Sequence, residues 1–351
     1  MKFVHAADIH LGACPDAGRL LTPKREKEIW SSFEKLLQVC EREHVDLLLV
    51  AGDLFHRQPL LRELKEVNYL FSKLSVTQVV MIVGNHDYLK KDSYYHTFGW
   101  AKNVHVILSE EISCVELPDI QTAVYGCSYH EREISGKPYA GAVAQKRQKH
   151  EILLLHGGDE KHMPLRKEEI LNLGYDYTAL GHIHRPQEIV AGKMAFSGSL
   201  EPTDKNDIGP HGFIMGEMTA KGCRYEFVVS AVREYKHVQV EVSKGMTGYA
   251  LREKVRMIIE EMGTEHIYKI MLEGFKDPDV YFDLSALDVY GNAVEITDNT
   301  KPSYNMKKLL QQNKDNILGS LISEWGECPQ DSAEYRALCE GIHALMETRR
   351  D

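Results

Sequence analysis

Five short clusters of oxygen and imidazole side chains punctuate the first half of the sequence: Asp8-Ile9-His10, Gly52-Asp53-Leu54-Phe55-His56, Gly84-Asn85-His86-Asp87, His156-Gly157 and Gly181-His182-Ile183-His184. None contains a thiolate. A mixed Asp, Asn and His set suits divalent manganese, iron, zinc or magnesium and does not choose among them. Two four-coordinate ions need about eight protein contacts. Seven residues drawn from these clusters can supply them if one carboxylate bridges. Taken singly the pieces are weak, since a lone Asp-x-His is more often a capped turn and a lone Gly-Asp is commonly a loop. Gly-Asn-His-Asp and Gly-His-x-His are more distinctive. Five clusters in this order, each closing a predicted strand, point to a metal site rather than to a run of turns.

The elements that must position these groups are legible as apolar blocks. Phe3 to Ala7, Leu47 to Ala51, Val79 to Val83, Thr122 to Tyr125, Ile152 to Leu155 and Tyr177 to Leu180 read as buried strands. Between them Ile29, Phe33, Leu36, Leu37 and Cys40 fall at helical spacing, as do Leu64, Val67, Leu70, Phe71 and Leu74. Strand and helix in alternation indicate an α/β layered domain. Asp8, Asp53, Asn85, His156 and His182 each follow an apolar strand, and ligands in open α/β sheets bind beyond the carboxyl ends of strands. Gly52, Gly84 and Gly181 sit at strand exits, where the backbone is expected to turn sharply.

From Gln187 to Ser230 the pattern turns β-rich and is expected to close a second sheet layer. The register changes near Glu234, which divides the chain into a catalytic domain over 1–234, a small α+β domain over 235–301 and a helical segment over 302–351. In that last segment Met306 to Trp325 and Ser332 to Thr348 are amphipathic. At 43% hydrophobic and 27% charged residues the composition is that of an ordinary globular protein, without an apolar run of membrane-spanning length. The seven cysteines are scattered and never paired as Cys-x-x-Cys, which fits reduced thiols and a cytoplasmic setting, and no signal peptide is read at the N-terminus. A net charge of -10 argues against a protein that coats nucleic acid by itself, so any DNA contact must be local, metal-assisted or shared with a partner.

The motif order Asp-x-His, Gly-Asp, Gly-Asn-His-Asp, His and Gly-His-x-His, matched over residues 5 to 184, resembles that of the calcineurin-like metallophosphoesterases. That resemblance implies a four-layer α-β-β-α sandwich and a two-metal centre. One ion would be held by Asp8, His10, Asp53 and His184, the other by Asp53, Asn85, His156 and His182, leaving His86 for catalysis. His86, carrying a proton, would assist the leaving oxygen. Asp87 either orients that imidazole or caps a turn, and His56 either meets the phosphate or is a satisfied loop histidine.

Within the superfamily, Phe3 to Gly12, Ala51 to His56 and Ser197-Gly198-Ser199-Leu200-Glu201-Pro202 look like SbcD-type DNA repair nucleases. Gly209 to Gly212, with His211, resembles their YhaO-like branch, whereas Ser197 departs from the proline that members often carry. The resemblance implies a manganese-dependent exonuclease or endonuclease acting on DNA ends, with the small domain capping the active site. It further implies an SbcC-like or YhaN-like coiled-coil ATPase partner docked by the C-terminal helices, and a homodimer. Lys90, Lys91, Arg185 and Lys205, with Arg19, Lys24, Arg25 and Lys102, are candidate phosphate contacts, though such charges are more often solvated surface. Tyr94, Tyr95 and Trp100 could stack on an unpaired base, though an aromatic cluster is usually core. Two rival readings use the same fold: a small-molecule or phosphoprotein phosphatase, and a scaffold that has lost catalysis.

Overall fold

The strands form where the apolar blocks predict them because these blocks are covered on both faces. A computed structural model describes residues 1–16, 22–329 and 332–348; Arg19 lies outside them. In chain order the elements are β1 (Lys2–Ala6), α1 (Thr22–Arg42), β2 (Leu47–Ala51), α2 (Leu61–Ser72), β3 (Gln78–Ile82), β4 (Val104–Ile107), β5 (Ser113–Leu117), β6 (Thr122–Gly126), β7 (His150–His156), α3 (Lys167–Leu171), β8 (Tyr177–Gly181), β9 (Gln187–Val190), β10 (Met194–Phe196), β11 (Gly212–Thr219) and β12 (Gly222–Val229). One sheet runs β12-β11-β1-β2-β3-β4, and a second runs β5-β6-β7-β8-β10-β9. Strands β1 to β4 are mutually parallel, as are β6, β7, β8 and β10, so their carboxyl ends emerge together within each sheet.

Side chains alternate across each strand, and the alternation assigns the layers. Phe3, Leu47, Leu49, Val80 and Ile82 meet Val124, Ile152, Leu154, Tyr177 and Ala179 of the other sheet. Val4, Leu48, Val50, Val79 and Met81 instead pack against Ile29, Phe33 and Leu36 of α1 and Leu64, Val67 and Phe71 of α2. All five residues of β2 are buried, as a near-continuous apolar run in a doubly covered parallel sheet must be. The far face of the second sheet, through Tyr125, Leu153, Leu155 and Leu180, is covered by Tyr139, Met163, Ile170 and Leu173. The result is an α/β sandwich whose outer layer on this side is mostly loop, with the five-residue helix α3 in it.

The chain divides into two compact units, Met1–Lys236 with Glu265–Ile267, and His237–Thr264 with the chain from Tyr268 onward. The second contains most of β13 (Tyr235–Val242), then α4 (Gly248–Met262), most of β14 (Ile267–Lys276), β15 (Ala293–Asp298), β16 (Lys301–Pro302), α5 (Met306–Gln312), α6 (Ile317–Trp325) and α7 (Ala333–Glu347). The amphipathic stretch from Met306 to Trp325 is two helices rather than one. Asn316 interrupts it by accepting the Gly319 N–H as the cap of α6, and Asn305 and Ser332 cap α5 and α7 in the same way. Leu318 and Ile322 of α6 and Leu338, Cys339 and Ile342 of α7 bury their apolar faces with Tyr304 and Tyr335.

Candidate metal centre

The ligand candidates leave the carboxyl ends of β1, β2, β3, β7 and β8, and the backbone there is bent out of ordinary conformations. Asp8, His10, Asp53 and His182 have φ of 49°, 53°, 49° and 93°. A non-glycine residue in this region costs on the order of 1–3 kcal/mol, and such strain persists only where neighbours over-determine it. Here the Asp8 N–H donates to the Gly52 carbonyl (3.2 Å), the His10 N–H to the Asp53 carbonyl (3.0 Å) and the His182 N–H to the Asp8 carboxylate (2.9 Å). Of the three strand-exit glycines Gly52 is needed both for its backbone angle, at φ +87°, and for space, since a Cβ there would lie 2.5 Å from His156 Nδ1. Gly84 and Gly181 are there for space. A Cβ on Gly84 would lie 2.2 Å from Asp53 Oδ1, and one on Gly181 2.0 Å from the Ala51 carbonyl oxygen.

Hydrogen bonds on the outer side of the imidazoles commit one ring nitrogen of each. His156 donates from Nδ1 to the Ala51 carbonyl (2.8 Å), His182 from Nε2 to Asp159 (2.8 Å), and His184 from Nδ1 to Asp207 (2.9 Å). The opposite nitrogens then point inward, where each can offer a lone pair once it has lost its proton. His156 Nε2 is 2.9 Å and His182 Nδ1 3.1 Å from Asn85 Oδ1, while His156 Nε2 is 3.4 Å from Asp53 Oδ2. His184 Nε2 is 3.1 Å from His10 Nε2, itself 3.9 Å from Asp53 Oδ2. Ligand atoms of Asp8, His10 and His184 lie within 4.8 Å of one another, and so do those of Asp8, Asp53 and His156. Acceptors converging on acceptors are stable only with protons or cations between them. The seven residues therefore fit a pair of divalent ions, with Asp8 common to both sets and Asp53 Oδ2 within reach of both His156 and His10.

Charges follow the same logic. Asp8, His10, Asp53, Asn85 and His156 are buried. Burial acts to raise the Asp53 carboxyl, but the neighbouring His156 and His10 outweigh it and hold the group well below the usual carboxylate range. Burial acts to lower His156 and His184, yet Asp53 lifts the first to about 9 and the bond to Asp207 lifts the second to about 9. Protons on these rings compete with metal below that pH. We expect divalent affinity to rise with pH up to about 9 and binding to release protons. Calorimetry in two buffers of different ionisation enthalpy checks this; binding independent of pH, with no proton release, would contradict it.

His86 stands beside these groups, partly exposed. Its N–H donates to Asp53 Oδ1 (2.9 Å), and its Nδ1 donates to the His56 carbonyl (3.1 Å), which leaves Nε2 available. Its ring centroid is 4.8 Å from that of His10 and 4.9 Å from that of His56. His56 is exposed, with Nδ1 3.4 Å from His10 Nδ1. Asp87 corrects one expectation, because the group orienting His86 is the His56 carbonyl. The Asp87 carboxylate turns inward to accept from the Gly84 N–H (3.0 Å), the Phe55 N–H (3.3 Å) and the Tyr95 hydroxyl (2.9 Å). Burial, then the charge of Asp53, pushes its carboxyl up to about 7. Asp87→Ala strands three buried donors, each costing about 1–3 kcal/mol. It should lower the melting temperature by several degrees. An unchanged melting temperature would remove this structural role.

The outlying candidates separate by exposure. Lys24, Lys90, Lys91, Lys102 and Arg185 are exposed and Lys205 is half-buried. Arg25 is fully buried, bonded to Glu28, Glu201 and the Pro202 carbonyl, so it is removed from the phosphate contacts. Tyr95 is likewise buried and Trp100 packs on the core, leaving Tyr94 as the exposed member of the aromatic cluster. Asp159 and Asp207 did not emerge from the sequence at all. Asp159 lies three residues beyond His156, but that spacing alone distinguishes it from no other loop aspartate.

An α/β sandwich that gathers these ligands at the carboxyl ends of its parallel strands is the framework of a metal-dependent phosphoesterase. Residues 1–186 match the model of the calcineurin-like phosphoesterases, and the chain belongs to that family. It is 29% identical over 298 residues to an uncharacterised metallophosphoesterase, YhaO of Bacillus subtilis, covering 78% of this chain and 72% of that protein. It is also 29% identical over 218 residues to the DNA double-strand break repair protein Mre11 of Methanocaldococcus jannaschii, 59% of this chain and 58% of that protein. The similarity to a subunit of the SbcCD nuclease of Staphylococcus epidermidis is 27% over 236 residues, 57% of this chain and 61% of that protein.

Proposed function

We propose that this chain is a two-metal DNA phosphodiesterase that processes DNA ends. The observation that carries the reading is the undivided ligand set with His86 beside it, in a chain whose similar proteins include one named for double-strand break repair and one named as part of a nuclease. Asp8, His10, Asp53 and His184 would hold one ion, and Asp53, Asn85, His156 and His182 the other. Divalent ions held by these residues, manganese in our reading, would supply an activated water and charge stabilisation for the phosphoryl oxygens. Buried Asp53 fixes the His86 backbone through its Oδ1, while the His56 carbonyl holds the ring by Nδ1. The doubly protonated His86 ring would then offer its Nε2 proton to the leaving oxygen and keep the Nδ1 proton on the His56 carbonyl.

With a net charge of -10 the chain has little non-specific pull on nucleic acid, so exposed Lys90, Lys91 and Arg185 would act locally. The rest of the binding surface would come from an SbcC-like or YhaN-like coiled-coil ATPase, and from a second copy of the chain. Among the described residues no helix is long and apolar enough to cross a membrane. We place the protein in the cytoplasm.

A metal screen on linear duplex DNA, single-stranded DNA and a phosphomonoester, run with and without the ATPase, tests this. We expect manganese-dependent cleavage of DNA and little turnover of the monoester. Turnover of the monoester alone would make the chain a phosphatase, and no turnover with any metal or partner would make it a scaffold.

A further inference from the structure

Two carboxylates absent from the sequence motifs, Asp159 and Asp207, each reach the outward nitrogen of one histidine in the Gly-His-x-His pair. We infer that Asp207 and Asp159 are the positioning residues that fix the metal-binding tautomers of His184 and His182, one carboxylate for each ion. This rests on the two-metal reading above. A histidine ligand binds through a bare nitrogen, so something must hold the proton on the other nitrogen and stop the ring from rotating.

Asp207 is built for this. Its Oδ2 accepts from His184 Nδ1 (2.9 Å), the Thr203 N–H (2.9 Å), the Thr203 hydroxyl (3.1 Å) and the Asp204 N–H (3.2 Å). The loop carrying it is pinned by His211, a buried residue in the Gly209 to Gly212 motif. His211 donates from Nε2 to the Asp207 carbonyl (3.1 Å) and accepts at Nδ1 from the Ser199 hydroxyl (2.8 Å). The motif thus acquires a role: it holds the carboxylate that holds a ligand. Ser199 is joined to the same place, since its N–H donates to the His184 carbonyl (2.9 Å).

Asp159 is a looser version of the device. Its Oδ1 accepts from the Lys161 N–H (2.8 Å) and the His162 N–H (3.0 Å), and its Oδ2 from His182 Nε2 (2.8 Å) and His162 Nδ1 (2.9 Å). The His162 ring lies against that of His182, with centroids 4.6 Å apart. The Asp159 side chain is 50% exposed and that of Asp207 16%, so water can replace Asp159 more readily than Asp207.

Manganese titrations by calorimetry on the full chain separate the two sites. Asp207→Ala should weaken one ion about 10–100-fold and leave the other within error, and Asp159→Ala should weaken the other ion by less. Asp207→Asn keeps an acceptor oxygen and should recover part of the loss. It also serves if the alanine variant folds poorly, and His211→Ala should reproduce a fraction of the defect. Cobalt(II) spectra should change at one site per variant, a readout that general loss of stability does not produce. Two ions bound with wild-type affinity by Asp207→Ala and Asp159→Ala overturn the inference and leave the two-metal reading standing. A wild-type chain that binds no divalent ion sinks both.

Discussion

Replacing His86 by alanine should lower phosphodiester hydrolysis by about 10²–10⁴-fold, the usual contribution of a positioned general acid, while both ions remain bound. The separation follows from geometry. His86 offers no side-chain atom to the group formed by Asp53, Asn85, His156 and His182; its link to Asp53 is through the backbone N–H, which alanine keeps. Its Nδ1 is committed to the His56 carbonyl and neither proposed ligand set includes its ring, so the loss should appear in kcat. A substrate with a leaving group that needs no proton should recover most of the rate. Retention of full activity on DNA by this variant would remove His86 from the mechanism.

The second large effect is expected at Asp53. In Asp53→Asn the volume and the bond to the His86 N–H survive, but a charged oxygen that faces both His156 and His10 becomes an amide. Because in the proposed assignment this carboxylate bridges the two ions, both should weaken, by more than the about 10–100-fold typical of losing an outer partner. Activity should fall with them, and the magnetic coupling of a manganese pair should vanish from the electron paramagnetic resonance spectrum. An Asp53→Asn protein that still holds a coupled pair would show that another group bridges. Gly84→Ala reaches the same site by a different route, since its Cβ would overlap Asp53 Oδ1 and the backbone nitrogen of Asp53 at 2.6 Å. It should reduce metal affinity without altering any ligand.

How far the sequence reaches can be judged from particular residues. The strands were legible because Leu47 to Ala51 or Ile152 to Leu155 are apolar without interruption, a pattern that depends on each residue and its immediate neighbours. The strand-end position of Asp8, Asp53 and His182 follows from the same local pattern. What hydrogen-bonds to what is a different kind of information. Asp87 sits beside His86 in the chain, and adjacency favoured the idea that it steers that ring. The turn instead directs its carboxylate to Gly84, Phe55 and Tyr95, and the steering falls to a backbone carbonyl thirty residues away. Arg25 read as a surface cation, yet packing takes it inside to Glu201, which lies 176 residues further on.

By itself, then, the sequence determined which side chains were available for a metal centre, their order, and the strand ends from which they project, since ligand chemistry and apolar periodicity are properties of short segments. Only the tertiary structure decided that Asp159 and Asp207 back His182 and His184, that Asp87 braces a turn, and that Gly84 and Gly181 are needed for room. Those outcomes depend on distances of a few ångströms between segments far apart in the chain. No spacing rule fixes such distances, because they are set by how the two sheets and their loops pack together.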